Sequence, residues 1–123
     1  MENKLNKSIL ITGCSSGIGA ALVSEFLKQN FLVFGSIRDK KMERPLKKKY
    51  GDNFIPLVFD VTNYKQISKA YKKVKLTLKG ANLGILINNA GIAKLGPVEH
   101  ISSEEFDLPL KTMVLGAFNC VQI

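Results

Sequence analysis

Residues 8–19, SILITGCSSGIG, limit what this chain can fold into more than any other stretch. Positions 8–12 are aliphatic and β-branched without polar alternation, the pattern of a strand buried on both faces of a parallel sheet. Gly13 breaks that run. Beyond it Ile18, Leu22 and Phe26 recur at fourfold spacing, with Val23 and Leu27 beside them, so a helix opens near Gly17 and turns one apolar stripe to the sheet. Strand, glycine-rich turn and helix follow in that order. The helix N-terminus points at the turn, where unpaired N–H groups and the positive end of the helix dipole make an anion site. Glycines there let a pyrophosphate approach the backbone closely. A tight turn kept for packing alone is the other reading.

At 123 residues the chain is one small domain, a size at which folding removes about two-thirds of the unfolded surface. An apolar fraction of 46% argues against disorder. No apolar run approaches the ~20 residues of a membrane helix, so a soluble, cytoplasmic protein is expected, without a membrane partner. The opening MENKLNK is charged but has no apolar stretch, which argues against a signal peptide. Cys14 and Cys120 form no disulfide framework and no metal-ligand spacing. Cys14 sits near a helix N-terminus, which favours a thiolate whose modification would block the turn; a small structural residue is the alternative.

The net charge of +8 comes from sixteen lysines and two arginines against ten acids, which raises the question of nucleic-acid binding. Lys47, Lys48 and Lys49, like Lys72, Lys73 and Lys75, fall among apolar positions at helical spacing. That is the signature of a solvated helix face. No nucleic-acid motif accompanies them.

Residues 31–37 read as a second buried strand, followed by Arg38 and Asp39. Met42, Leu46 and Tyr50 lie on one face of a short helix with Pro45 in its first turn and Gly51 at its end. A third strand over 53–59 contains Pro56, which places it at a sheet edge. After Thr62, a long helix carries Ile67, Ala70, Tyr71, Val74 and Leu78 inward and stops at Gly80. Residues 83–87 make a fourth strand. Ser102 to Glu105 have capping-box form, with Ile101 and Phe106 as a hydrophobic staple. Pro109 predicts a break there, then a last helix turning Leu110, Met113, Val114, Ala117 and Val121 inward. The sole histidine, His100, reads as a loop residue. Four strands alternating with helices predict a parallel sheet with right-handed crossovers and order 3-2-1-4.

Two motifs narrow this further. Residues 12–19 are TGxxxGIG, and Asn88-Asn89-Ala90-Gly91, NNAG, ends the fourth predicted strand. Together they resemble the short-chain dehydrogenase/reductase family, in the subgroup that does not space its glycines TGxxGxxG. The resemblance implies an α/β, Rossmann-like doubly wound parallel sheet, here incomplete, with residues 1–123 as a partial dinucleotide-binding domain. It implies a cofactor site made by Gly13, Ser15, Ser16, Gly17, Ile18 and Gly19, with Asp60 and Val61 against the adenine and Asn89, Ala90 and Gly91 beside the ribose. Asp60 can equally accept local backbone bonds. At the end of the second strand an acid binds the ribose of NAD, whereas an arginine accommodates the 2′-phosphate of NADP. Arg38 precedes any acid, which favours NADP with NAD as second choice. A surface turn and ion pair between Arg38 and Asp39 is the alternative.

The family's catalytic Ser and Tyr-x-x-x-Lys follow a fifth strand, and no counterpart occurs here, because Tyr50, Tyr64 and Tyr71 all precede the fourth. No catalytic residue is therefore assigned, and the chain alone is expected to be inactive. Met113 stands where the family commonly carries an Asn of its proton relay, and Asn119 lies on another helix face. Three functions follow: the N-terminal part of an NADP-dependent oxidoreductase acting on alcohols or carbonyls, a non-catalytic dinucleotide-binding module or truncated pseudoenzyme, or a basic interaction protein. The fourth strand would be an uncharged sheet edge, so self-association or a missing C-terminal segment is expected.

Overall fold

The computed structural model describes residues 7–123. The reading of the start as no signal peptide falls on residues 1–6, outside the described residues. Four parallel strands form one sheet in the order β3-β2-β1-β4. β1 (Ser8–Ile11) and β2 (Leu32–Ile37) are central. β3 (Phe54–Val58) and β4 (Ile85–Ile87) are the edges. This is the order expected from the sequence.

Alternation along the strands builds two cores. Ile9, Ile11, Val33 and Ile37 point to the face covered by α1 (Gly17–Lys28) and α2 (Glu43–Tyr50), where they meet Val23 and Leu46. Phe34 and Leu57 point the other way, onto Ile67, Ala70, Val74 and Leu78 of α3 (Tyr64–Leu78). Ile18 and Tyr71 depart from the predicted stripes: both are exposed, Ile18 because it lies in the first turn of α1, beyond the sheet. Asn30, in left-handed geometry with φ 61°, ends the first helical segment, and Gly51 and Gly80 follow α2 and α3 with φ 81° and 92°.

β3 is an edge that the fold closes. Lys47 Nζ donates to Phe54 O at 2.7 Å and Lys73 Nζ to Pro56 O at 3.0 Å. The two lysines come from helices on opposite faces, and Pro56 has no N–H to leave unpaired. The expectation of simply solvated lysines is thus corrected for these two, whose ammonium groups satisfy strand carbonyls.

After β4 the chain passes through a helical turn at Val98–His100 into α4 (Ser103–Leu110). The capping box forms: Glu105 N donates to Ser102 Oγ and Ser102 N to Glu105 Oε2. The bond from Ser102 N, followed by Lys94, holds the Glu105 carboxyl below the usual carboxylate range. Pro109 does not break the helix where predicted. α4 runs through it to Leu110, and the irregularity comes next, as a π-helical turn over Lys111–Leu115 leading into α5 (Gly116–Gln122). Pro109 removes one backbone bond, which a helix survives, and the Thr112 hydroxyl donates to Leu108 O at 3.0 Å.

The predicted inward face of this last segment is also corrected. Leu110, Met113, Val114 and Val121 are exposed, and Ala117 is only half-buried. Gly116 is buried instead, and Cys120 and Ile123 join the α3 core. A Cβ on Gly116 would come within 2.5 Å of Val61 Cγ2, so the helix lies close against the end of β3 through its small residues.

Candidate functional site

Each strand's carboxyl end contributes to one open cleft of ≈ 230 Å³. At its centre is the turn after β1, fastened on two sides. On the β2 side Gly13 N donates to Ser36 Oγ at 2.9 Å, and Cys14 N to Ser36 O at 2.9 Å. On the β4 side Thr12 Oγ1 accepts from Asn89 N at 3.0 Å and Ala90 N at 2.9 Å. Asn89 Nδ2 completes the clasp with donations to Thr12 O and Gly13 O, both at 3.0 Å. Threonine and asparagine are needed there because the strand end requires one buried acceptor and one donor that reaches back.

Glycine is dictated at two of these positions by space. A Cβ on Gly13, whose φ is +71°, would meet Ala90 Cα at 2.9 Å. A Cβ on Gly19 would collide with Gly13 O and fall 2.6 Å from Asn89 Nδ2. Gly17 differs: its φ is +60°, but nothing lies within 4 Å of its Cβ direction. That side faces open space.

The start of α1 is electrostatically bare. Ser16 is its N-cap residue but makes no side-chain capping bond, and the first turn holds no acid. Its first N–H groups have no intrahelical acceptor and carry the positive end of the dipole. An oxyanion fits this place: the first N–H groups lack intrahelical acceptors, the glycine side is open, and the first turn of the helix holds no acid.

Of the residues predicted from the sequence, Gly13, Ser15, Ser16, Arg38, Asp60, Val61, Asn89, Ala90 and Gly91 line this one cleft. Gly17, Ile18 and Gly19 do not. Gly19 is consumed in the contact of α1 with Gly13 and Asn89, while Ile18 is exposed. Ser36, Ile37, Phe59, Ile92 and Thr112 also line the cleft and were not predicted. The first three were within reach as the ends of β2 and β3; Thr112 depends on the π-helical turn, which no local pattern marks.

Arg38 is exposed at the cleft, and no ion pair joins it to Asp39 among the described residues. Asp39 instead caps a helical turn, accepting from Lys41 N at 2.9 Å. Asp60 Oδ1 accepts from Thr62 N at 2.9 Å and Thr62 Oγ1 at 2.7 Å, the local bonding foreseen as one alternative, and still lines the cleft. Met113 Cγ lies 3.5 Å from the Cβ direction of Gly91, beside the cleft. Tyr71 and Lys75, spaced as Tyr-x-x-x-Lys, stack on α3 with the ammonium 5.5 Å from the ring centroid, and line a different groove. Among the described residues, no tyrosine or lysine lines the cleft itself.

Cys14 is not a reactive thiol. Burial pushes its pKa up to about 12, against a smaller opposite effect of the Ser36 backbone bond, and Sγ donates to Ile11 O at 2.9 Å. The thiolate reading gives way to the structural one, because the side chain lies under the turn within the sheet core and not at the helix mouth. Burial likewise raises the pKa of Cys120. No cluster of His, Cys, Asp or Glu suited to a metal ion occurs among the described residues, and no helix among them is long and apolar enough to cross a membrane.

Comparison with known proteins gives this cleft a setting. Residues 7–123 match the family model described as short chain dehydrogenase. An NADPH-dependent 3-dehydrocapnine reductase from Ornithobacterium rhinotracheale is 42% identical over 96 residues, covering 78% of this chain and 34% of that protein. A crystal structure of a short chain dehydrogenase from Bacillus anthracis superposes with a TM-score of 0.87 at 26% identity, covering 98% of this chain and 50% of that one. The NADPH-bound carbonyl reductase from chicken fatty liver superposes with a TM-score of 0.85 at 28% identity, covering 94% and 49%. The chain spans about a third of the length of such a curated relative and about half of the solved structures it matches.

Proposed function

The chain belongs to the short chain dehydrogenase family, and on that premise we propose that residues 1–123 form a partial dinucleotide-binding domain that holds NADP(H) for an oxidoreductase acting on alcohol or carbonyl groups. The observation that carries this is the turn after β1, clasped by Ser36 and Asn89, which leads into the bare N-terminus of α1 and lines a cleft that Arg38 borders. When bound, the cofactor would supply hydride chemistry. The backbone N–H groups at the start of α1 and the hydroxyls of Ser15 and Ser16 receive its pyrophosphate. Asp60 and Val61 flank the adenine, and Asn89, Ala90 and Gly91 border the nicotinamide ribose. Arg38 pairs with the 2′-phosphate, for which a planar guanidinium offers bidentate donors. NAD lacks that phosphate and is held by the remaining contacts alone.

A second reading, a dinucleotide-binding module without catalysis, is favoured by Met113 beside the cleft, whose thioether is a weak acceptor. Both readings place the same cofactor in the same cleft. They separate on hydride transfer, which the chain alone is expected not to perform. The test of the shared reading is calorimetry of NADPH and NADH with the parent chain and with Arg38→Ala. NADPH is expected to bind more tightly, and Arg38→Ala to remove most of the difference; a charge-assisted bond of about 1.5–3 kcal/mol corresponds to roughly 10- to 100-fold. Equal affinities that ignore the substitution would take Arg38 out of the site.

A further inference from the structure

α3 carries two stripes. Ile67, Ala70, Val74 and Leu78 face the sheet and are buried. On the opposite side Lys65, Lys69, Lys72, Leu76 and the C-cap residue Lys79 recur at intervals of three and four residues, and all five are exposed. At 1.5 Å per residue they form one line of about 21 Å along the helix. No acid occurs anywhere in α3.

The lysines at the margins of this line are engaged within the fold. Lys73 Nζ donates to Pro56 O at 3.0 Å and lies 3.9 Å from Glu43 of α2, while Lys75 sits 5.5 Å from the Tyr71 ring centroid. The lysines of the line itself differ: among the described residues no carboxylate, carbonyl or aromatic ring receives the ammonium groups of Lys65, Lys69, Lys72 or Lys79. Like charges three or four residues apart weaken a helix, and here they stand at 65 and 69, 69 and 72, 69 and 73, 72 and 75, and 75 and 79. Within the line Leu76 is 79% exposed, an aliphatic side chain with lysines on either side of it.

We propose that this face of α3 docks on the surface of a bilayer that carries anionic lipid headgroups, the four lysines meeting the headgroup charge and Leu76 entering the interface. Charge complementarity and the exposed leucine select this occupant together. A lysine ammonium is a compact point charge suited to diffuse attraction by a charged plane, and the line holds no arginine for bidentate phosphate contacts. A nucleic acid would draw on the same lysines, but its phosphates offer nothing to Leu76. Expecting no membrane partner rests on the lack of a spanning run, which a surface-bound helix does not need. None of the five residues lines the cofactor cleft, so the proposal stands apart from the function argued above.

The test is co-sedimentation of the chain with phosphatidylcholine vesicles, with and without about one-third phosphatidylserine, in 0.1 M salt. Binding is expected only to the anionic vesicles and is expected to fade at 0.5 M salt, where screening shortens the reach of each charge. With each lysine near the surface contributing about fivefold, Lys69→Gln with Lys72→Gln should weaken binding about 25-fold. Lys48→Gln with Lys49→Gln, which removes the same net charge from exposed positions of α2, should change it less than threefold, and Leu76→Ser should weaken it about tenfold. The Lys69/Lys72 variant should melt no lower than the parent, because it relieves like-charge pairs. No binding to the anionic vesicles would overturn the proposal, as would an equal loss in the two lysine variants, which would make the effect one of net charge alone. Vesicle binding that ignores Leu76→Ser, or a duplex DNA probe bound more tightly than the vesicles, would overturn the choice of a bilayer. A lower Tm in the Lys69/Lys72 variant would show those lysines serving the fold and would overturn it too.

Discussion

Thr12→Val removes one hydroxyl and leaves the side-chain shape unchanged, at a position only 1% exposed. That hydroxyl accepts from Ala90 N at 2.9 Å and from Asn89 N at 3.0 Å, and so ties the end of β1 to the end of β4. The two donors do not suffer equally. Asn89 N also reaches Ile87 O at 3.1 Å and keeps that acceptor, whereas Ala90 N loses its bond to Thr12. One orphaned, partly buried N–H costs about 1–3 kcal/mol, and the weakened bond adds a fraction more. The extra methyl returns part of this, for a net loss of about 2 kcal/mol. For a domain of this size that is a fall in Tm of roughly 8 °C. Urea and thermal unfolding followed by circular dichroism measure it, with Thr12→Ser as the control that keeps the acceptor and loses only a methyl. NADPH affinity should fall with Val and hold with Ser, because residues 89–91 border the cleft. If Val were within 0.5 kcal/mol of the parent, or Ser as damaging as Val, the clasp would not be what positions the turn.

Gly17→Ala and Gly19→Ala should separate binding from folding. The first meets no atom but forces a left-handed residue at about 1–2 kcal/mol and puts a methyl on the open side of the turn, so NADPH affinity drops in a folded protein; unchanged binding would end the phosphate-loop reading. The second collides with Gly13 O and should lower Tm far more, and a Gly19→Ala variant as stable as Gly17→Ala would contradict the close approach of α1 to the turn. Cys14 should resist a maleimide at pH 8 in the native chain, and rapid stoichiometric labelling would show it accessible. Because its folded pKa is raised from 9.0 to about 12, its contribution to stability is full below pH 9 and falls as pH rises toward 12. By linkage the loss is roughly 1 kcal/mol at pH 10; a Cys14→Ala variant with the same alkaline slope would refute that source.

Much of this fold is legible from local rules. The two central strands announce themselves as unbroken apolar runs because both of their faces are covered, and Pro56 marks the outer strand because its missing N–H can only face away from β2. Ser102 and Glu105 form the capping box their spacing foretells. Nine of the twelve predicted site residues meet in one cleft because strand ends in a parallel sheet all open on the same side. What stays hidden is the wiring. Nothing in the sequence near Ser36 says that its hydroxyl will receive Gly13 N, and nothing near Lys47 or Lys73 says that an ammonium will end on a strand carbonyl, since each partner is brought there by the sheet.

The last helix fails for a different reason, and it bears on how the cleft is built. Hydrophobic periodicity assigns the large residues to the core, which turns Leu110, Met113, Val114, Ala117 and Val121 inward. The observed stripe is the reverse. Thr112, Gly116 and Cys120 recur every four residues and let the helix backbone approach Val61, which is itself a wall of the cleft. A large residue at 116 would hold the helix off Val61 and widen the site. Small residues thus set the distance between this helix and the cleft, while the large ones on its other side remain apolar surface that the described residues leave uncovered. A helix with two apolar faces of unequal side-chain size defeats a rule that ranks faces by hydrophobicity alone, because close approach demands the smaller face and a second layer demands the larger.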